Sequence, residues 1–100
     1  MASKNSGVSE IVRVHLFISG IVQGVFFRAH TRNSARSLNL TGWVKNMDDG
    51  RVEVVVEGIR SKITEFIGWC HRGPAAASVL GVEVEWQQAT GEFEDFEVRY

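Results

Sequence analysis

The run GIVQGVFFR, from Gly20 to Arg28, places residues able to bind an anion at the point where a strand pattern gives way to a helical one. Its two glycines leave a stretch of backbone N–H groups unhindered at the start of a helix, which is where oxyanions bind. Arg28 falls in or just before the first helical turn, where the positive end of the macrodipole disfavours a cation. An oxyanion held between the loop N–H groups and the guanidinium would compensate that charge. A tight strand-to-helix turn with a solvated arginine accounts for the run equally well. A second candidate is Asn46 in GWVKNMDDG, Gly42 to Gly50. It stands near a strand end, where Asn is disfavoured, and before a turn, where Asn is welcome. By itself that placement is what a turn needs.

Other reactive side chains are less well arranged. His15, His30 and His71 are spread over a strand and two helices with no supporting carboxylate pattern, so neither a catalytic base nor a metal site is expected. Asp48 and Asp49 stand beside Gly50, as a hairpin turn requires, and call for no magnesium. Cys70 has no neighbour in sequence that would lower its pKa and reads as core. Trp43, Trp69 and Trp86 read as packing.

The elements that must position these residues follow from periodicity. Val12, Val14, Leu16 and Ile18 alternate along a strand from Ile11 to Ser19. Phe27, Thr31, Ala35 and Leu38 recur at helical spacing up to Asn39, a suitable C-terminal stop. Two strands, Thr41 to Met47 and Arg51 to Glu57, flank the Asp-Gly turn, with Val52, Val54 and Val56 on one face. Ile63, Phe66, Ile67 and Cys70 mark a helix from Arg60 to Arg72, with Ser61 as its expected N-cap and Gly73–Pro74 as its end. Val82, Val84 and Trp86 alternate in a strand from Val79 to Gln88, and the closing GEFEDFEVRY puts Phe96, Val98 and Tyr100 on one face. This order predicts an α+β, ferredoxin-like β-α-β-β-α-β sandwich: an antiparallel sheet of four to five strands with both helices on one face.

A sheet of this kind hosts many unrelated activities, so function must come from the site. GIVQGVFFR, followed after a helix-sized interval by GWVKNMDDGRVEVVVEG, closely resembles the paired signature of the acylphosphatase family, and the likeness extends from about Val14 to Tyr100. The resemblance implies a small hydrolase that cleaves the carboxyl–phosphate bond of acyl phosphates without metal or cofactor. It places the phosphate-binding loop on Gly20, Ile21, Val22, Gln23, Gly24 and Val25, the catalytic arginine on Arg28 and the catalytic asparagine on Asn46. Where some members carry a hydroxyl residue after that asparagine, this chain has Met47.

The chemistry suits these residue types. An acyl phosphate expels a carboxylate with a pKa of about 4 to 5, so no general acid is required. What remains is to hold the phosphoryl oxygens and align water opposite the leaving oxygen. Backbone N–H groups and a planar guanidinium suit the first task, and an amide, which cannot act as a base near neutral pH, can orient the water.

Composition bounds the alternatives. One hundred residues with eleven Lys plus Arg against twelve Asp plus Glu lack the general basic field of a nucleic-acid binder. The strand Arg51 to Glu57 offers Val and Glu where an RNA-binding sheet would offer aromatic and basic residues. A single cysteine fits a reducing compartment, and no apolar run approaches a membrane span. Residues 1–9 are expected to be a disordered lead-in and 10–100 one domain. The resemblance implies a small acyl phosphate as partner, with phosphate or sulfate as product-like ligand, and a cytoplasmic monomer that engages neither nucleic acid nor membrane is expected. The competing reading is a non-catalytic anion-binding or interaction module on the same fold.

Overall fold

The computed structural model describes residues 10–100, and the lead-in expected for residues 1–9 lies outside them. Along the first strand, β1 (Ile11–Ile21), Val12, Val14, Leu16 and Ile18 are buried, while Arg13, His15 and Phe17 face the other way and remain partly accessible. The remaining elements are α1 (Phe27–Ser37), β2 (Thr41–Asn46), β3 (Val52–Ile59), α2 (Arg60–Arg72), β4 (Ser78–Gln88) and β5 (Phe96–Arg99). Val52, Val54 and Val56 of β3 join the buried face of β1, as do Phe27 and Ala35 of α1 and Ile63, Phe66 and Cys70 of α2. The core therefore lies between one face of the sheet and both helices, as the alternation predicts.

The sheet runs β4-β1-β3-β2-β5. The first four strands pair antiparallel, but β5 lies parallel to β2, with Gly42 opposite Phe96 and Lys45 opposite Arg99. The sheet is thus mixed where a uniformly antiparallel one was expected. The cause is the path of the chain: β4 ends opposite Val12, at the start of β1, and the segment from Ala89 to Asp95 crosses that end of the sheet to the far edge. Glu57 on β3 fastens the crossing, its carboxylate accepting the N–H groups of Thr90 at 2.9 Å and Gly91 at 3.0 Å and the Arg13 Nε–H at 2.8 Å. A strand entering from that end can only run with β2. As a result β1, β2 and β5 all point their C-terminal ends at the start of α1.

Several boundaries move. β1 continues to Ile21 because Gly20, at φ 126°, pairs with Val79 through a register shift after Ser19. A Cβ there would collide with the Ser78 carbonyl, so only glycine keeps β4 alongside. α1 ends at Ser37, with Asn39 taking the left-handed φ of 59° that stops it. α2 begins at Arg60, so Ser61 lies within the first turn and Ile59 stands at the N-cap with no side-chain bond. The Arg60 N–H is taken instead by the Glu10 carbonyl at 3.0 Å. Of Phe96, Val98 and Tyr100, expected on one face, Phe96 is buried and Tyr100 is fully exposed.

Candidate anion-binding site

Between the end of β1 and the start of α1 the chain makes a loop, Val22 to Phe26. Gly24 has φ 77° and Phe26 adopts φ 61°, ψ 23°. A left-handed conformation at a bulky residue costs on the order of 1 to 3 kcal/mol, and Phe26 is 78% exposed, so its ring recovers little of that by burial. A left-handed residue in such a turn can gather successive backbone N–H groups into an anion-binding concavity. Among the described residues no hydrogen bond is donated by a backbone N–H from Val22 to Ala29; the first bond of α1 is His30 N–H to the Phe26 carbonyl at 3.1 Å. The helix has no side-chain cap and no acidic residue in its first turn. Its N-terminus is a concentrated, unneutralised source of donors.

These donors border a cavity of about 300 Å³ lined by Val22, Gly24, Phe26, Phe27, Arg28, Ala29, Arg32, Asn46, Val98 and Tyr100. Among the described residues its only charged lining side chains are those of the two arginines. Val22 and Phe27 are buried and form its apolar floor. Arg28 donates from Nη1 to the Arg99 carbonyl at 3.2 Å, and its guanidinium carbon lies 4.6 Å from the centre of the Tyr100 ring. It forms no ion pair among the described residues. The end of β5 thus holds the guanidinium in place while leaving its charge uncompensated.

Asn46 reaches the same cavity from β2. It shares the inward face of that strand with Val44, which is fully buried, so its amide emerges on the helix side of the sheet. Its Oδ1 is buried with no hydrogen-bond partner among the described residues. A buried acceptor left unpaired costs about 1 to 3 kcal/mol, which suits an atom whose partner is a ligand or a bound water.

The sequence model of the acylphosphatase family matches residues 14–98. An acylphosphatase of Roseiflexus sp. is 49% identical over 89 residues, covering 89% of this chain and 96% of its own. One from Chloroflexus aurantiacus is 54% identical over 82 residues, covering 82% and 89%. The structure of an acylphosphatase from Coxiella burnetii superposes with a TM-score of 0.84 at 43% identity, over 89% of this chain and 93% of that one. The chain belongs to the acylphosphatase family.

Within this acylphosphatase the residues singled out in the sequence separate into groups. Val22, Gly24, Arg28 and Asn46 meet at one cavity. Gly20 and Ile21 belong to the paired end of β1, and Val25 packs against the core. Gln23 turns its side chain away: its Nε2 donates to the carbonyls of Met47 at 2.8 Å and Arg51 at 2.9 Å, tying the loop to the hairpin that carries Asn46. Met47 takes part in that tie through its carbonyl and does not line the cavity.

Sequence reasoning missed Arg99 and Tyr100, whose contacts with Arg28 depend on the parallel pairing of β5. The alternation of Val44 and Asn46 was a usable signal, because it put a polar side chain on an inward face. The remaining candidates fall elsewhere. His15 sits on the open face of the sheet with its Nε2 2.7 Å from Glu53 Oε2, and His30 and His71 are exposed on separate helices. Asp49 binds Arg51 within the hairpin turn, and that contact holds its carboxyl below the usual range. Cys70 is buried in the core, where desolvation pushes its thiol well up and leaves it unreactive. Trp69 packs against Phe27 and Phe66, whereas Trp43 and Trp86 lie beneath the cations of Lys45, Arg99 and Arg60.

Proposed function

We propose that this acylphosphatase hydrolyses acyl phosphates with Arg28 and the N–H groups of the Val22–Phe26 loop and first helical turn holding the phosphoryl oxygens, and with Asn46 orienting the attacking water. The observation that carries this reading is the meeting, in one cavity, of an uncompensated guanidinium and a buried, unpartnered amide oxygen. In the reaction the water oxygen forms a bond to phosphorus as the bond from phosphorus to the acyl oxygen breaks. The carboxylate leaves with the electron pair and needs no proton, because its conjugate acid has a pKa of about 4 to 5. Charge on the equatorial oxygens is met by donors already fixed in place, and these need no reorganisation as it develops.

Asn46 accepts one water hydrogen at Oδ1 and thereby points the oxygen lone pair at phosphorus; it does not remove the proton, which passes to a phosphate oxygen or to solvent. Arg28 contributes a rigid fork whose charge persists at any physiological pH. Inorganic phosphate or sulfate should occupy the same donors as a product-like ligand. Residues 10–100 are proposed to act as one domain, and the enzyme as a monomer in a reducing cytoplasm, a setting that suits its single buried thiol. No helix among the described residues is long and apolar enough to cross a membrane.

The test is benzoyl phosphate hydrolysis by the parent and by Asn46→Ala. The substitution removes an unpaired buried acceptor, so the variant should fold, retain phosphate binding within a few-fold and lose about a hundredfold or more in kcat. A folded Asn46→Ala protein turning over at the parent rate would refute the assignment.

A further inference from the structure

Arg28, Arg32 and Arg36 stand at i, i+4 and i+8 along α1 and form one basic stripe. The outer two are accounted for by β5: Arg28 donates to the Arg99 carbonyl, and Arg36 binds Asp95 at 2.9 Å and the Phe96 carbonyl at 3.2 Å. Arg32, between them, has only the Asn33 side chain of its own helix, at 3.3 Å, and no acidic partner among the described residues. Like charges four residues apart on a helix repel. Nothing within the fold explains why a second uncompensated arginine should line the cavity that already holds Arg28.

The cavity itself suggests what the second cation is for. Its volume of about 300 Å³ exceeds what a phosphoryl group alone fills and lies at the low end for small-molecule sites. Besides Arg28 and Asn46 its lining includes the exposed rings of Phe26 and Tyr100 with Ala29 and Val98, an apolar set beside which Arg32 is the second charged side chain. We propose that Arg32 and this aromatic rim form the acyl-end subsite, and that the enzyme favours acyl phosphates whose acyl group carries a second anionic group, a carboxylate or a phosphate. This inference rests on the phosphoryl-binding role given above to Arg28 and the loop. Arg32 takes no part in bond making; it binds the far end of the substrate.

The test compares benzoyl phosphate with 3- and 4-carboxybenzoyl phosphate, whose rigid rings place a carboxylate at two reaches, for the parent, Arg32→Ala and Arg32→Glu. In the parent at low salt, kcat/KM for the better carboxylated substrate should exceed that for benzoyl phosphate, and the preference should fall as salt is raised. The ratio of carboxylated to plain substrate should drop about tenfold in Arg32→Ala and further in Arg32→Glu; any general loss of positive field lowers both substrates and cancels in the ratio. Arg32→Ala also relieves like-charge repulsion and improves helix propensity, so it should fold with undiminished stability. Hydrolysis of all three substrates with no carboxylate preference in the parent, or with a ratio unchanged in Arg32→Ala, overturns the subsite alone. A parent protein that cleaves none of them removes the hydrolase reading and the subsite with it.

Discussion

Gln23 offers the sharpest test of how the proposed site is assembled, because its side chain bonds to neither Arg28 nor Asn46 and yet ties together the segments that carry them. Its Nε2 donates to Met47 O at 2.8 Å and Arg51 O at 2.9 Å. In Gln23→Leu both bonds vanish, each contributing about 1 kcal/mol net. Neither carbonyl is orphaned, because Met47 O keeps the Gly50 N–H at 3.2 Å and Arg51 O keeps the Met47 N–H at 2.8 Å. The stability loss should therefore be about 1 to 2 kcal/mol, small enough for a domain of typical stability to remain folded. Catalysis should suffer more. With the tie gone the loop and Asn46 drift relative to each other, and a displacement of the order of an ångström costs up to about a hundredfold.

We expect kcat to fall ten- to a hundredfold while the inhibition constant for inorganic phosphate changes by less than about threefold, because the proposed anion grip of N–H groups and Arg28 lies on one side of the tie. Gln23→Glu sharpens the test. Its carboxylate would face two carbonyl oxygens, which disfavours the charged form and raises its pKa above the ordinary value of about 4.3. Its activity relative to Gln23→Leu should then rise between pH 7 and pH 5, as protonation restores one donor. Urea unfolding followed by steady-state kinetics measures both parts. A folded Gln23→Leu protein with the parent kcat would refute the coupling between loop and hairpin.

Two further outcomes follow from the same geometry. Arg28→Lys keeps the charge but loses the planar fork that reaches both phosphate and the Arg99 carbonyl, so phosphate affinity should weaken about tenfold and kcat by more, with both lost in Arg28→Ala; calorimetric titration with phosphate checks the first and benzoyl phosphate turnover the second. Glu57, 3% exposed, is opposed by desolvation, but the N–H groups of Thr90 and Gly91, the Thr90 hydroxyl and Arg13 outweigh that and hold its carboxyl below the ordinary range. Its contribution is therefore present above the unfolded pKa and lost as pH falls through the folded one. Melting temperatures from pH 7 to 3 should show Glu57→Gln less stable at pH 7 and the gap closing in acid; a gap that persists to pH 3 would contradict the assignment.

What the sequence made legible was local. The alternation in Val12 to Ile18 and Val52 to Val56, the helical spacing of Phe27, Thr31 and Ala35, and the Asp-Gly turn each encode their structure within a few residues, and all of these elements are present. The irregular turn between β1 and α1 was legible for a similar reason: two glycines and a misplaced cation conflict with local rules, which is the ground for proposing a ligand there. The parallel pairing of β5 was not legible, since it depends on a crossing fastened by Glu57 at the far end of the sheet, 33 residues from Thr90 in sequence. Its consequences for the site were hidden with it.

Alternation along GEFEDFEVRY puts Tyr100 on the same face as Phe96, and alternation alone carries no information on where the sheet's edge leaves the helix layer. At that edge the ring has no core to enter and lies against Arg28 instead. The same crossing that reverses β5 thus brings a carbonyl and an aromatic face to the Arg28 guanidinium. If β5 ran antiparallel to β2, its C-terminal end would lie at the opposite edge of the sheet, near Glu57, and Arg28 would lose both contacts. The pairing direction of an edge strand is therefore part of how the cavity around Arg28 and Asn46 is organised, and Glu57, remote from that cavity, helps to impose it.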